Sequence, residues 1–310
     1  MKRRTFLQNS TVALGAAILP QTLSAAHHGG NHRRSVHLFS KHLQFLDYDA
    51  MATQAAEIGF DGVDLTMRPK GHVEPANAAY DLPRAVRALE KAGLPPLMCT
   101  TGFSSVNDDH FESTLDAIAD AGITHLRMGY FRYNEKQHPA ELLADIHREL
   151  PALAKALEKR GLNGGLQNHA GARNIGASMW EYWQILDDID PTVLGIQFDI
   201  RHAVAERGAS WQREVDIAAP KISSLVIKDF KWVEDEKTGL PKILNTPLGE
   251  GWVDFPRYLK MIDEAQINAP ISLHYEYDLG GAGKGNRELT IPKQDVYAAM
   301  KRDLNILRGW

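Results

Sequence analysis

After residue 34 the chain alternates a short apolar run with an amphipathic segment eight times, and no other feature narrows its fold as much. The apolar runs are Val36–Phe39, Gly62–Thr66, Pro96–Thr100, His125–Met128, Gly164–Asn168, Leu194–Asp199, Ser223–Lys228 and Ile271–Glu276. Between them, Tyr48–Ile58, Leu82–Ala92, Phe111–Ala121, Ala140–Lys159, Ala177–Asp188 and Phe255–Ala265 place apolar residues at three- and four-residue spacing, and Val296–Leu307 closes the series. That spacing predicts helices with one buried face. Glycine marks the joins at Gly59, Gly93, Gly122 and Gly161, where a helix must stop and the chain re-enter a sheet. Strict alternation implies a parallel sheet, and eight units in one chain of this size predict a single (β/α)8 TIM barrel over residues 35–310. The rival, an open doubly wound sheet, lacks a Gly-x-Gly-x-x-Gly turn after the first strand.

The first residues read as an address. Lys2-Arg3-Arg4-Thr5-Phe6-Leu7, a moderately apolar run from Thr11 to Leu19 and the small residues Ser24-Ala25-Ala26 have the layout of a twin-arginine export signal over residues 1–26. A His/Gly/Arg-rich linker follows at residues 27–34. The apolar run is too short for a stable membrane anchor, so the expectation is a periplasmic or secreted protein.

Composition removes several function classes. A net charge of −4 and an isoelectric point near 6.4 leave no basic excess for nucleic acid. The single cysteine, Cys99, excludes an internal disulfide and a cysteine-rich metal centre, and its apolar neighbours suit a packed thiol. A small polar substrate fits better, and the sequence leaves a homo-oligomer open.

In a parallel barrel the chemistry gathers where strands end. Here those ends are rich in ionisable groups: Gln167-Asn168-His169, Asp199-Ile200-Arg201-His202, Lys228-Asp229 and His274-Tyr275-Glu276. Seven of the thirteen histidines, at 37, 42, 72, 125, 169, 202 and 274, fall in or just after these runs. Residues two apart on a strand share a face, which pairs Gln167 with His169 and His274 with Glu276. Asp199, His274, Gln167 and His169 are candidate ligands for a divalent cation such as Mn²⁺, Mg²⁺, Zn²⁺ or Co²⁺. A hydrogen-bonded polar network holding a sugar without metal uses the same residues. Glu276, His274, Lys228 and His202 are the candidate catalytic groups, because a proton must be taken from carbon and an oxyanion stabilised. Pairing with Asp229 or another carboxylate is a plainer role for Lys228, and pairing with Asp64 a plainer role for Arg68. Arg68, His72, His169 and the loop aromatics Trp232 and Trp211 are candidate substrate contacts, whereas Trp180 and Trp183 lie on a helix and read as core. The Gly280–Gly285 run reads as a mobile lid.

These exits, the element Gly59-Phe60-Asp61-Gly62-Val63-Asp64-Leu65 and the order of eight units resemble the xylose isomerase-like TIM barrels, specifically the sugar phosphate isomerase/epimerase group. Phe39-Ser40-Lys41-His42-Leu43-Gln44, Arg68-Pro69-Lys70-Gly71-His72-Val73, Lys228-Asp229-Phe230-Lys231-Trp232 and Pro247-Leu248-Gly249-Glu250-Gly251 resemble an exported subgroup of it. The resemblance implies one divalent metal held by Glu, Asp, His and Glu on strands five to eight, with both Glu also moving protons. At the matching positions this chain has Gln167, Asp199, Val226 and His274, so only the Asp is kept. Valine binds no metal and glutamine is no base, so the two-Glu shuttle does not carry over.

The leading expectation is therefore an exported isomerase or epimerase that works through an enediol beside a sugar carbonyl. The alternative is a lyase or hydrolase that uses the same enolisation on 3-keto-glycosides. A non-catalytic sugar-binding protein is the second alternative.

Overall fold

The computed structural model describes residues 34–310; the expected export signal and residues 27–33 of the linker lie outside the described residues. Eight parallel strands close into the expected barrel. They are β1 (Val36–Phe39), β2 (Gly62–Thr66), β3 (Met98–Thr100), β4 (His125–Arg127), β5 (Asn163–Gln167), β6 (Leu194–Asp199), β7 (Ile222–Ile227) and, after a hairpin of β8 (Asp229–Glu234) and β9 (Pro241–Thr246), β10 (Ile271–Leu273). β1 pairs with β2 on one side and closes the ring on β10 through Val36–Ile271, His37–Ser272 and Leu38–Leu273.

Helices α1 (Tyr48–Ile58), α2 (Ala78–Lys91), α3 (Phe111–Asp120), α4 (Pro139–Glu158), α5 (Met179–Ile185), α6 (Ile200–Arg207), α7 (Trp211–Ala218), α8 (Phe255–Glu264) and α9 (Lys293–Gly309) follow the amphipathic segments. The first shows how local sequence sets the limits. The Asp47 side chain caps α1 by accepting from the Ala50 amide, and Gly59 ends it at φ 105°, a left-handed conformation that glycine adopts without strain. Met51, Ala52, Ala55 and Ile58 on its inner face are buried. Full burial of each large apolar side chain contributes about 1.5–3 kcal/mol. Cys99 is part of this core, as expected.

Two differences from the sequence expectation matter for the mouth. The last barrel strand stops at Leu273, because the His274 amide makes one further ladder bond to Ile227 O and the Tyr275 amide then donates to the His42 ring. Strand parity therefore cannot place Glu276 on the His274 face. The β8–β9 hairpin was unexpected, since Lys231, Glu234, Asp235, Glu236 and Lys237 give it the composition of a solvated loop. Its base is fixed by Asp229, whose carboxylate accepts from the amides of Phe230, Gly249, Gly251 and Val253. A Cβ at Gly251 would come within 2.2 Å of that carboxylate. Among the described residues no helix is long and apolar enough to cross a membrane.

Candidate active site in the mouth of the barrel

β6 runs into α6 without a loop, and Asp199 belongs to both. As the helix cap, its Oδ1 accepts from the His202 amide at 3.3 Å. Asn168 clamps its backbone from both sides, accepting from the Asp199 amide at 2.6 Å and donating to its carbonyl at 3.0 Å. Oδ2 is left facing the mouth, where Gln167 Nε2 donates at 2.9 Å and Lys228 Nζ stands at 3.1 Å.

Lys228 is the centre of the arrangement. Its Nζ also lies 2.9 Å from His202 Nε2 and 3.4 Å from Glu276 Oε2, and Lys41 Nζ stands 3.5 Å from Glu276 Oε1. Burial opposes the Lys228 charge, but Asp199 and Glu276 outweigh it and raise its pKa above the ordinary lysine value. Burial likewise pushes the Glu276 carboxyl up, while Lys228 and Lys41 prevail and hold it well below the usual carboxylate range. Both groups are thus ionised at neutral pH. Burial, with Lys228 and Arg201 alongside, keeps His202 neutral. Its Nδ1 faces Arg201 Nη1 at 2.9 Å, and its ring packs on that of His169 at 3.9 Å between centroids.

Gln167 is fully engaged. Its amide oxygen accepts from the Tyr130 hydroxyl and from Arg127 Nη1, the latter at 3.2 Å, while its nitrogen goes to Asp199. The Tyr182 hydroxyl holds its backbone carbonyl at 2.9 Å, and that ring fits only because residue 176 is glycine: a Cβ there would lie 2.2 Å from the tyrosine Cζ.

Across the mouth the groups are held by neutral hydrogen bonds. Ser272 Oγ donates to Asp64 Oδ2 at 2.6 Å, so its lone pair accepts from His274 Nε2 at 3.1 Å. That fixes the imidazole tautomer and leaves Nδ1 as a buried lone pair without a partner among the described residues. The ring stacks on Phe39 at 4.2 Å. Burial holds His274 neutral, and also lifts the Asp64 carboxyl despite hydrogen bonds from Ser272 and Thr100.

The other expected site residues divide. Arg68 does not pair with Asp64: its guanidinium lies over the Phe39 ring at 5.6 Å and makes no side-chain hydrogen bond among the described residues. His72 Nδ1 meets Ser40 Oγ at 3.1 Å and its Nε2 is buried without a partner. Lys228 turns away from Asp229, whose oxygens are already filled by the hairpin base. Trp232 lies on β8, half-buried against Phe230. Trp211 is no loop platform, since it begins α7 and is buried beside Tyr258. Trp180 and Trp183, expected in the core, are exposed on α5.

Sequence reasoning missed Lys41, Asn168, Arg127, Ser272 and Asn245, whereas Tyr130, read as an aromatic flanking a strand end, meets Gln167 through its hydroxyl. Asn245, on β9, accepts from Arg201 at 2.6 Å and donates to the Glu276 carbonyl at 3.3 Å, tying the hairpin over the mouth. Lys41 stood inside a quoted motif, and Asn168 beside two chosen residues, which was the only available signal. Two cavities flank the cluster. One of about 400 Å³ lies between Glu276 and the Leu279–Thr290 loop, and one of about 170 Å³ is lined by Tyr130, Arg132, His169, Arg173 and Asn174.

The expected metal ligands do not form a set. Among the described residues no group of three or more His, Cys, Asp or Glu side chains is arranged to hold a metal ion. Gln167 has no free oxygen lone pair directed at Asp199, its oxygen being taken by Arg127 and Tyr130. The space beside Asp199 Oδ2 is filled by an ammonium, so the residues present do not fit a divalent cation there.

A family model described as xylose isomerase-like TIM barrel matches residues 52–298. An uncharacterized protein of Methanocaldococcus jannaschii is 23% identical over 229 residues, which cover 70% of this chain and 75% of that one. Among solved structures, D-allulose 3-epimerase of Methylomonas sp. superposes with a TM-score of 0.65 at 16% identity, over 89% of this chain and 98% of its own. A xylose isomerase-like TIM barrel protein of Mycobacterium smegmatis in complex with magnesium gives 0.63 at 16% identity, over 88% and 98%. At these identities the two structures share the fold.

Proposed function

The chain belongs to the xylose isomerase-like TIM barrel family, and from that premise we propose a sugar isomerase or epimerase that takes a proton from the carbon beside a sugar carbonyl. The likeness to an epimerase of D-allulose supports the substrate class. The observation that carries the reading is the contact of Glu276 with Lys228 at 3.4 Å, at the one edge of the cluster where a carboxylate is partly open, its side chain 24% exposed.

Enolisation needs a base and a cation side by side. Lys228 Nζ lies against Asp199, His202 Nε2 and Glu276, and the Glu276 contact is the longest. A substrate carbonyl oxygen that takes the N–H now directed at Glu276 frees the carboxylate from its partner and raises its basicity. Glu276 then removes the neighbouring C–H proton; that electron pair becomes the C=C bond of the enediolate, and the carbonyl oxygen becomes the oxyanion beside Lys228. Return of the proton to the other carbon, with the neighbouring hydroxyl's proton passing to the oxyanion so that the carbonyl moves, gives the isomer; return to the other face of the first carbon gives the epimer. Arg68 and the free nitrogens of His72 and His274 are the groups left to hold hydroxyls or a carboxylate.

Gln167 favours a second reading. With its amide locked it moves no proton, so the site has one carboxylate base where two-base epimerisation uses two. A lyase or hydrolase of 3-keto-glycosides needs only one: the enolate expels a leaving group instead of being reprotonated.

The test is incubation with D-fructose, D-tagatose and D-allulose in D₂O. Deuterium at the carbon beside the carbonyl supports the isomerase. Release of the aglycone from a 3-keto-glycoside without uptake selects the second reading, and neither result overturns both and leaves a sugar-binding protein. Export by the signal expected at residues 1–26 is part of the proposal, and cell fractionation with Arg3→Lys/Arg4→Lys checks it by retaining the protein inside.

A further inference from the structure

We infer that the Lys228 ammonium occupies the cation position of this barrel, excluding a divalent metal from it. The inference rests on the proposed function for the role of Lys228 as electrophile, but its metal claim stands on geometry alone.

Two carboxylate oxygens and a ring nitrogen surround one point: Asp199 Oδ2 at 3.1 Å, Glu276 Oε2 at 3.4 Å and His202 Nε2 at 2.9 Å from Lys228 Nζ. These are the spacings of an ammonium paired with two carboxylates. A divalent metal requires contacts of about 2.0–2.3 Å, and no such ion fits beside a resident Nζ. Charge gives the same answer. Asp199 and Glu276 bring two negative charges, and Lys228 with Lys41 already balances them. A further double charge would meet two ammoniums and, behind His202, the Arg201 guanidinium.

The cage is built to keep the ammonium. Asp199 is completely buried and its backbone is fastened by Asn168, while Gln167 Nε2 supplies a second donor to the same Oδ2. Lys228 reaches in from the end of β7, where its neighbour Asp229 starts the hairpin and is held independently. The ammonium is thus placed as firmly as a bound ion, and it demands neither metal supply nor loading.

Manganese supplies the probe. Wild-type protein treated with EDTA, dialysed and titrated with MnCl₂ should leave the free-Mn²⁺ paramagnetic resonance signal undiminished at stoichiometric concentration, and EDTA should change deuterium exchange less than two-fold. One Mn²⁺ bound per wild-type chain overturns the inference. Lys228→Met keeps the stem and removes the charge. It should lower exchange by at least about 100-fold with no recovery on adding Mn²⁺, and exchange within three-fold of wild type would refute the electrophile role. The wild-type titration uses no substrate, so a failed exchange assay leaves the metal result intact.

Discussion

The two sides of the barrel mouth solve different problems with similar residues. At the ends of β6 and β7, Asp199 and Lys228 stand 3.1 Å apart as fixed charges, and Glu276 reaches Lys228 at 3.4 Å from the segment after β10. On the side of β10, β1 and β2, His274, His42 and His72 are polar but kept neutral by burial. There the hydrogen-bond directions are what is fixed: His42 Nδ1 donates to Ala282 O at 3.3 Å while its Nε2 accepts from the Tyr275 amide at 3.0 Å. A charged wall can stabilise an oxyanion as it develops. A neutral wall of set tautomers can read hydroxyls without competing for that charge. The contrast argues that a substrate lies across the mouth with its carbonyl toward Lys228.

The sharpest way to break this contrast is to remove charge from the first side. Asp199→Asn keeps the shape but strips Lys228 and Gln167 Nε2 of their shared acceptor charge. Loss of one partner of a buried ion pair costs about 3–5 kcal/mol, and turnover should fall at least about 100-fold. Urea unfolding and deuterium exchange measure the two effects, and an Asn variant with wild-type exchange would leave the charged wall without a function. On the neutral side, Ser272→Ala cuts the link between Asp64 and His274. It leaves a buried carboxylate oxygen and a buried ring nitrogen short of a partner, a loss of about 1–3 kcal/mol. Its effect on kcat/KM should be smaller than that of Asp199→Asn; an equal or larger effect would move the chemistry to His274.

The same division explains what was legible in the sequence. The barrel was readable because its signal is repetitive: eight apolar runs, with Gly59, Gly93, Gly122 and Gly161 at positive φ where helices end. Asp199, Lys228 and Glu276 were readable because each follows an apolar run that stops abruptly. Their partners were not. Nothing in the chain says that Lys228 prefers Asp199 to the adjacent Asp229, since that choice depends on amides of Gly249, Gly251 and Val253 filling Asp229 from a later loop. Trp211 failed for a related reason: whether an aromatic faces a ligand or a core depends on its neighbour, here Tyr258, which is 47 positions away. The expected metal ligands could not show that Lys228, from the next strand, fills the space beside Asp199 Oδ2, and strand periodicity misplaced Glu276 because the strand had already ended at Leu273.

The mildest probe sharpens the neutral side through pH. Burial, with Arg287 adding to it, depresses the His72 pKa from 6.5 to about 4. A histidine depressed in the folded state is protonated first in the unfolded chain, so its contribution is complete above pH 6.5 and is lost as pH falls toward 4. At pH 5.5 the loss from this one ring is about 1 kcal/mol. Urea unfolding at pH 7 and 5.5 should therefore show His72→Gln losing less stability between the two than the wild type does. His72 Nδ1 bonds Ser40 at 3.1 Å, so the variant also sheds a neutral hydrogen bond and should begin from a lower stability at pH 7. The pH difference separates the two contributions, because a lost hydrogen bond lowers both values alike and only an imidazole held uncharged makes them diverge. Parallel loss in wild type and variant would mean that His72 is charged in the fold at pH 5.5 and is not held neutral by its burial.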